Sequence, residues 1–272
     1  MKKLIFTGCS YTYGAGIERE YTSEITTEFI PQEYKIKDCT YEQLEFIHQN
    51  RFSRLVANKF GTSDLNNGIN GGSIEYGLGE VAKHFQNGES AETIGAIIFQ
   101  ITNLDRGISR VYSEKDKQNK YFQIQVAQIE KNGADLQTMY ELVEEYGELE
   151  NVIEIAYTNK LNDLAESLKS YEDMGIPVFI IHWRDGHPQQ TDSPYDQYPN
   201  LVDKIKWLKD KVIPITYKEV TVNRFVDLYI NNTELVIDGN MLSGKFDDHA
   251  TMLGHQILAD SIYKYLKNRV VL

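Results

Sequence analysis

A single serine stands on a tight turn at the end of the first apolar run of the chain. The run Leu4-Ile5-Phe6-Thr7 passes directly into Gly8-Cys9-Ser10-Tyr11-Thr12-Tyr13-Gly14. An open α/β sheet places reactive groups at such a point, at the carboxyl end of a strand and just ahead of a helix. A serine hydroxyl is a weak nucleophile at its own pKa. It needs a base within hydrogen-bond reach, a third group to orient that base, and donors for the oxyanion that develops. The base candidate is His249, in Phe246-Asp247-Asp248-His249, read as a loop ahead of the last helix. A neighbouring aspartate could hold its imidazole in the tautomer that accepts the serine proton. Three donors are candidates for the oxyanion. One is the side chain of Asn103, just past the most apolar strand. The second is the backbone N–H of Gly71, where the missing Cβ lets the main chain approach a substrate. The third is the N–H of Ser10 itself.

Each of these residues also has a plainer role open to it. Ser10 fits a turn or helix N-cap, and His249 a surface loop. Asn103 could satisfy backbone at a strand end, and Gly71-Gly72 could be a turn and nothing more. Cys9 reads as a small buried hydrophobe rather than a nucleophile. His182 and His187 flank a strand end and read as structural, with pocket lining as the other role. His255 is expected to start and cap the last helix. The nucleophile reading gains its weight from the four sites occurring together.

The elements that must position them follow from the hydrophobic pattern. Residues 2–8 read as a buried strand, short and continuously apolar up to Gly8. Residues 17–40, polar and holding Pro31, read as an insertion. A helix is predicted over 41–60 with Gly61 as its stop. A short strand is predicted over 64–69, then a loop at Asn70-Gly71-Gly72-Ser73 and a helix over 74–86. Residues 94–101, Ile-Gly-Ala-Ile-Ile-Phe-Gln-Ile, form the strongest strand. The stretch 107–155 reads as a second insertion with some helix, its run of glutamates a solvated face. Leu161, Leu164, Ala165 and Leu168 then mark an apolar helical stripe. A strand at 178–183, a loop at 185–200, a helix from 201 to 212, a strand near 225–229 and a last helix over 252–267 complete the chain. Strands alternating with helices imply βαβ units and a parallel sheet. The reading is one three-layer α/β domain over 1–272, with insertions at 17–40 and 107–155.

Bulk composition excludes several classes of function. The formal net charge is −12, which disfavours nucleic-acid and anionic-membrane partners, since phosphate contacts need clustered Lys and Arg. No apolar run reaches the roughly 20 residues of a membrane span. The opening Met-Lys-Lys-Leu-Ile-Phe-Thr-Gly reads as a strand rather than a signal peptide. With only Cys9 and Cys39 there is no disulfide framework and no zinc-type pair, so a reducing, cytoplasmic setting is expected. The Gly8-to-Gly16 loop lacks the Lys-Ser/Thr of a P-loop, and its glycine spacing misses the dinucleotide fingerprint. The oligomeric state is not legible.

At four places the chain resembles the SGNH (GDSL-type) hydrolases. Gly8-Cys9-Ser10-Tyr11-Thr12-Tyr13-Gly14 is similar to their Gly-Asp-Ser block. Asn67-Gly68-Ile69-Asn70-Gly71-Gly72-Ser73 resembles the second block, which supplies an oxyanion-hole glycine. Thr102-Asn103 falls where the third block carries its asparagine. Asp247-Asp248-His249, followed by Gly254-His255, resembles the block that carries the Asp and His of the triad. The blocks occur in the family's order. The resemblance implies a flavodoxin-like fold and ester hydrolysis by acyl transfer, with neither metal nor cofactor. Ser10 would attack, His249 would act as base, and the Ser10 N–H, Gly71 and Asn103 would hold the oxyanion. The favoured substrate is a small-molecule or carbohydrate ester, in particular an O-acetyl ester. The sequence departs from the pattern at Cys9, where the family has Asp, at Ile101 and Leu104, and at Phe246, where the triad Asp usually stands. Asp247 is then the preferred orienter, because Asp248 adjoins His249 and neighbouring side chains usually diverge. These departures motivate the alternative, a catalytically degenerate module that keeps the fold for binding or structure.

Overall fold

The apolar runs read as strands assemble into one parallel sheet in the computed structural model, which describes residues 2–21, 41–69, 71–101, 103–124, 133–183, 201–238 and 247–272. β1 (Lys3–Thr7) lies between β2 (Asp64–Asn66) and β3 (Ile94–Ile101), and β6 (Val178–His182) pairs with the far side of β3. Every pairing is parallel. Counting these strands alone, the order is 2-1-3-4, that of flavodoxin-like doubly wound folds. All eight positions of β3 are buried, as a strand covered on both faces requires.

The period of two along the strands divides the core. Ile5, Ile97, Phe99, Ile101 and Ile180 face one apolar cluster, covered by α4 (Ile74–Gln86) and α6 (Leu149–Asp173). Leu4, Phe6, Ala96, Ile98 and Ile181 face the other, covered by α3 (Phe52–Phe60) and α10 (Met252–Leu266). The result is the three-layer α/β architecture that the alternation of strand and helix implied. Among the described residues, no helix is long and apolar enough to cross a membrane.

Several elements differ from expectation. The helix predicted over 41–60 is two, α2 (Tyr41–Asn50) and α3, broken at Arg51, which takes an extended ψ of 146°. The break turns the Arg51 side chain onto Asp64 of β2, 3.2 Å away. The helix expected over 201–212 is two short pieces, α7 (Leu201–Lys204) and α8 (Lys206–Lys211). A small antiparallel hairpin follows, β7 (Ile215–Tyr217) and β8 (Val220–Val222). The strand predicted near 225–229 is a helix, α9 (Phe225–Tyr229), with Phe225, Leu228 and Tyr229 buried at i, i+3 and i+4. In place of a fifth strand, single parallel bridges join Ile180 to Val212 and His182 to Arg224.

The stretch 107–155 holds an antiparallel hairpin, β4 (Ile108–Ser113) and β5 (Gln118–Gln123), then α5 (Gly133–Tyr146) and the start of α6. Its glutamates are not only a solvated face. Glu145 accepts from the Ser113 hydroxyl at 2.7 Å and from the Glu114 N–H at 2.5 Å, closing the hairpin turn. Ile17–Glu20 form a 3-10 turn. Residues 22–40 of the first insertion, the 185–200 loop with His187, and Cys39 lie outside the described residues.

His255 joins α10 to α3. It is fully buried, and its ring stacks on Phe52 with centroids 5.7 Å apart. Its Nδ1 accepts the Phe52 N–H at 3.3 Å, so it caps α3. Its own helix is capped by Thr251, whose hydroxyl accepts from the Gly254 N–H. Burial, helped by His249 and Arg51, pushes the His255 pKa from its ordinary 6.5 down to about 3. The unfolded chain therefore binds a proton between those two values that the folded chain refuses. This contribution to stability is full above about pH 6.5 and is lost as the pH falls toward 3. His255→Asn keeps an acceptor for Phe52 but does not titrate. Between about pH 6 and pH 4, the wild-type unfolding free energy should fall by about 1.4 kcal/mol per pH unit more steeply than that of the variant. Urea unfolding across that range checks this, and parallel slopes refute it.

Candidate active site

Three loops meet at the carboxyl edge of the sheet, beside the switch point between β1 and β3, where ligands bind in folds of this order. The first is the turn after β1. α1 (Ser10–Tyr13) is a single helical turn entered through Cys9 in extended conformation. Gly14 closes it in the left-handed region, at φ 99°, with its N–H donating to Ser10 O. Gly8 is required by space. A Cβ there would stand 2.5 Å from Thr12 Oγ1 and 2.6 Å from Gln100 Oε1. Gln100, buried in β3, accepts the Thr12 hydroxyl through Oε1 and points Nε2 at Cys9 Sγ, 3.6 Å away. Cys9 is thus a packed internal thiol. From below, Asn66 of β2 donates to the Thr12 carbonyl at 2.7 Å and to Ser53 Oγ at 2.8 Å.

The structure brings Ser10 and His249 together. His249 Nε2 lies 2.8 Å from Ser10 Oγ, and Ser10 is only 3% exposed. The histidine sits not on a loop but on β10 (Asp247–Ala250), paired antiparallel with β9 (Val236–Asp238). Its ring is backed by that of Tyr11, with centroids 4.8 Å apart. Tyr11 in turn stacks on Trp183, just past β6, at 4.3 Å and within 8° of parallel. On another side Gly16 comes so near that a Cβ there would lie 3.0 Å from the His249 Cβ. A buried serine hydroxyl paired with an imidazole nitrogen has the geometry for general-base removal of the hydroxyl proton. The side chains of Asp247 and Asp248 lie outside the described residues.

The second loop runs from β2 to α4. The Ile69 N–H approaches the Gly8 carbonyl at 3.4 Å, and a Cβ on Gly72 would lie 2.9 Å from that same oxygen. A Cβ on Gly68 would run into the Tyr13 N and the Thr12 backbone. Close approach to the serine turn thus needs Gly68 and Gly72. Gly71 is needed for another reason: it is exposed, has open space where a Cβ would stand, and takes a φ of 74°. Ser73 then caps α4 by accepting the Tyr76 N–H. Asn70 and Thr102 lie outside the described residues.

The third loop follows β3. Asn103 is 2% exposed, and its carbonyl accepts the Arg106 N–H at 3.3 Å. Leu104, at a position where the family pattern has Asp, is fully buried and adds to the core. Beneath this turn lies Lys160 of α6, whose Nζ donates to the carbonyls of Leu104 at 3.1 Å and Arg106 at 2.6 Å. Burial pushes the Lys160 pKa down, and Glu75 and Asp105 act against that shift.

Gln100, Tyr11, Trp183 and Lys160 were not among the residues the sequence marked. Two of them carry a signal in hindsight. Gln100 is a lone amide inside an apolar strand, and Lys160 is a lone charge on the apolar stripe of Tyr157, Leu161 and Leu164.

No family model matches the chain, and no curated protein matches it. Solved structures match it over nearly its whole length. A lipase from a goat rumen metagenome is 10% identical, with 97% of each chain covered and a TM-score of 0.47. An acetyl-xylooligosaccharide esterase of Geobacillus stearothermophilus is 15% identical, covering 97% of this chain and 94% of that one at a TM-score of 0.46. An acetyl xylan esterase of the rumen bacterium Butyrivibrio proteoclasticus is 12% identical, covering 98% of this chain and 64% of that one at a TM-score of 0.40.

The contact at Gly8 makes a direct prediction. Gly8→Ala forces a methyl group between Thr12 and Gln100 and should destabilise the fold by about 1–3 kcal/mol. The readout is a lower urea midpoint at unchanged m-value. A midpoint equal to that of wild type contradicts the close packing of the serine turn on β3.

Proposed function

We propose that this chain is a serine ester hydrolase of the SGNH type, acting on a small O-acyl ester. The observation that carries the reading is the 2.8 Å approach of His249 Nε2 to Ser10 Oγ at the carboxyl edge of the sheet. In the proposed reaction Ser10 Oγ attacks the ester carbonyl carbon while His249 Nε2 takes the hydroxyl proton. The carbonyl oxygen becomes an oxyanion held by the N–H groups of Ser10 and Gly71 and by the Asn103 side chain. The tetrahedral intermediate collapses, and the alcohol leaves with the proton from His249. Water, activated by the same histidine, then releases the acid and restores Ser10.

Ser10 opens α1, so its N–H has no carbonyl one helical turn back to donate to and is free in principle to face an oxyanion. Asp247 as the group that orients His249, and an O-acetyl carbohydrate as the natural ester, rest on the resemblance of the sequence blocks. The reading of 1–272 as one domain with insertions at 17–40 and 107–155 rests on the alternation of strands with helices and on the polar character of those two stretches. The alternative of a degenerate binding module drew on Cys9, Leu104 and Phe246. For the first two, burial supplies a packing role that is independent of catalysis.

A fluorophosphonate probe should label Ser10, and Ser10→Ala should abolish both labelling and turnover of p-nitrophenyl acetate. His249→Ala should lower kcat by about 10³-fold or more. Folded protein that resists the probe, or a Ser10→Ala variant as active as wild type, sinks the assignment and leaves the binding module standing. Comparing acetyl with longer acyl esters, and with O-acetylated oligosaccharides, tests the narrower substrate reading.

A further inference from the structure

We propose that Lys160 is a positioning residue that locks the two outer oxyanion loops to one another. The inference rests on the reading of Gly71 and Asn103 given above.

Lys160 sits in the middle of α6, and its side chain is only 4% exposed. A lysine with no task at such a site would be replaced at no loss by a methionine, since burying an ammonium costs more than burying a thioether. The Nζ atom is fully engaged instead. Two of its hydrogens go to the carbonyls of Leu104 and Arg106, which bracket the turn that starts at Asn103. In the other direction it lies 3.5 Å from Oε1 of Glu75. Glu75 is the second residue of α4, the helix that the Gly71 loop leads into. One ammonium thus reaches the turn after β3 and the first turn of α4, into which the loop after β2 leads.

The two loops also touch directly. Gly107, at the end of the Asn103 turn, takes a φ of 77°, and a Cβ there would stand 2.5 Å from Glu75 Oε2 and 3.1 Å from Ser73 Cβ. The contact between the loops is therefore tight, and Lys160 supplies the charge that holds Glu75 against it. Without the ammonium, two carbonyls of a tight turn lose their donor and a carboxylate loses its partner. The Asn103 turn could then shift by a fraction of an ångström relative to Gly71. Donors aimed at a developing oxyanion tolerate little such movement, and a misplacement of about 1 Å can cost about a hundredfold in rate.

The test is a double-mutant cycle on p-nitrophenyl acetate with the full chain. Lys160→Met should lower kcat by about ten- to a hundredfold with KM within about twofold of wild type. Lys160→Arg, which can still reach both carbonyls, should recover most of the loss. Asn103→Ala alone should lower kcat by about a hundredfold. In that background Lys160→Met should cost under about twofold, because the group it positions is gone. Equal losses in both backgrounds overturn the inference, and so does a Lys160→Met enzyme with wild-type kcat. An Asn103→Ala enzyme with unchanged kcat removes Asn103 from the oxyanion hole; the inference then falls because the proposed function is wrong at that residue. Should Lys160→Met not fold, Glu75→Ala on its exposed side chain reads the same tie. A loss in kcat of about threefold or more at unchanged KM supports it, and an unchanged kcat overturns it.

Discussion

A hydrogen bond between residues 239 positions apart can form only if both ends of the chain are held to a fraction of an ångström. The bond between His249 Nε2 and Ser10 Oγ sets that demand, and the parallel sheet meets it. β1 carries the serine turn and is clamped on both sides by β2 and β3, so its end is fixed by two ladders. α10 follows His249 directly and packs on α3, where His255 caps the neighbouring helix. The histidine is thus tied to the same cluster that covers β1, and the tie runs through packing rather than through the chain.

The turn itself is shaped by exclusion. Gly8, Gly16, Gly68 and Gly72 each stand where a Cβ would lie about 3 Å or less from a neighbouring atom. They let the chain pass close to the side chains of Thr12, Gln100 and His249 and to the backbone of the serine turn. The side chains that do enter are polar and matched: Thr12 with Gln100, Asn66 with the Thr12 carbonyl. Tyr11 and Trp183 complete the shell with aromatic area and hold the imidazole from behind.

What was legible in the sequence follows from this division of labour. β3 and α4 were read closely, because Ile94–Ile101 is apolar but for Gln100 and a polar, glycine-rich loop sets off the start of α4. Ser10, Gly71, Asn103 and His249 were marked because each follows or precedes a predicted element, and the structure brings two of them, Ser10 and His249, to 2.8 Å of one another. The misses have local causes. Phe225–Tyr229 carries β-prone residues, but it is buried at i, i+3 and i+4, and Phe225 packs on Trp183, a contact no short window reveals. The break at Arg51 exists for Asp64 and His255, thirteen residues ahead and more than two hundred ahead. The hairpin at 108–123 alternates with serines at inward positions 109 and 113, so its apolar face is faint. Lys160 is a lone charge on an apolar stripe, and the turn above it gives it a task.

Among the described residues, several buried polar side chains gather at the strand ends, while others, such as Ser109, Ser113 and Ser261, lie elsewhere. Ser10, Thr12, Gln100, Asn103, Asp64 and His182 all lie at or near the ends of the sheet strands, and all but Asp64 at the carboxyl end. Each is a group that costs free energy to dry unless its partner is in place. A fold selected only for stability would fill that edge with apolar side chains, as it fills both faces of β3. Polarity concentrated at one end of the sheet carries a cost that the rest of the core must offset. Under the function proposed above, that cost has its return in what the groups at the edge do to a substrate. The amino ends of β1 and β3 offer the contrast. Beside Leu4 the Asp64 carboxylate is buried against Arg51 and tied to the α2–α3 break, while Lys3 of β1 reaches Glu89 ahead of β3 by a partly exposed ion pair, and such an exposed pair adds little to stability.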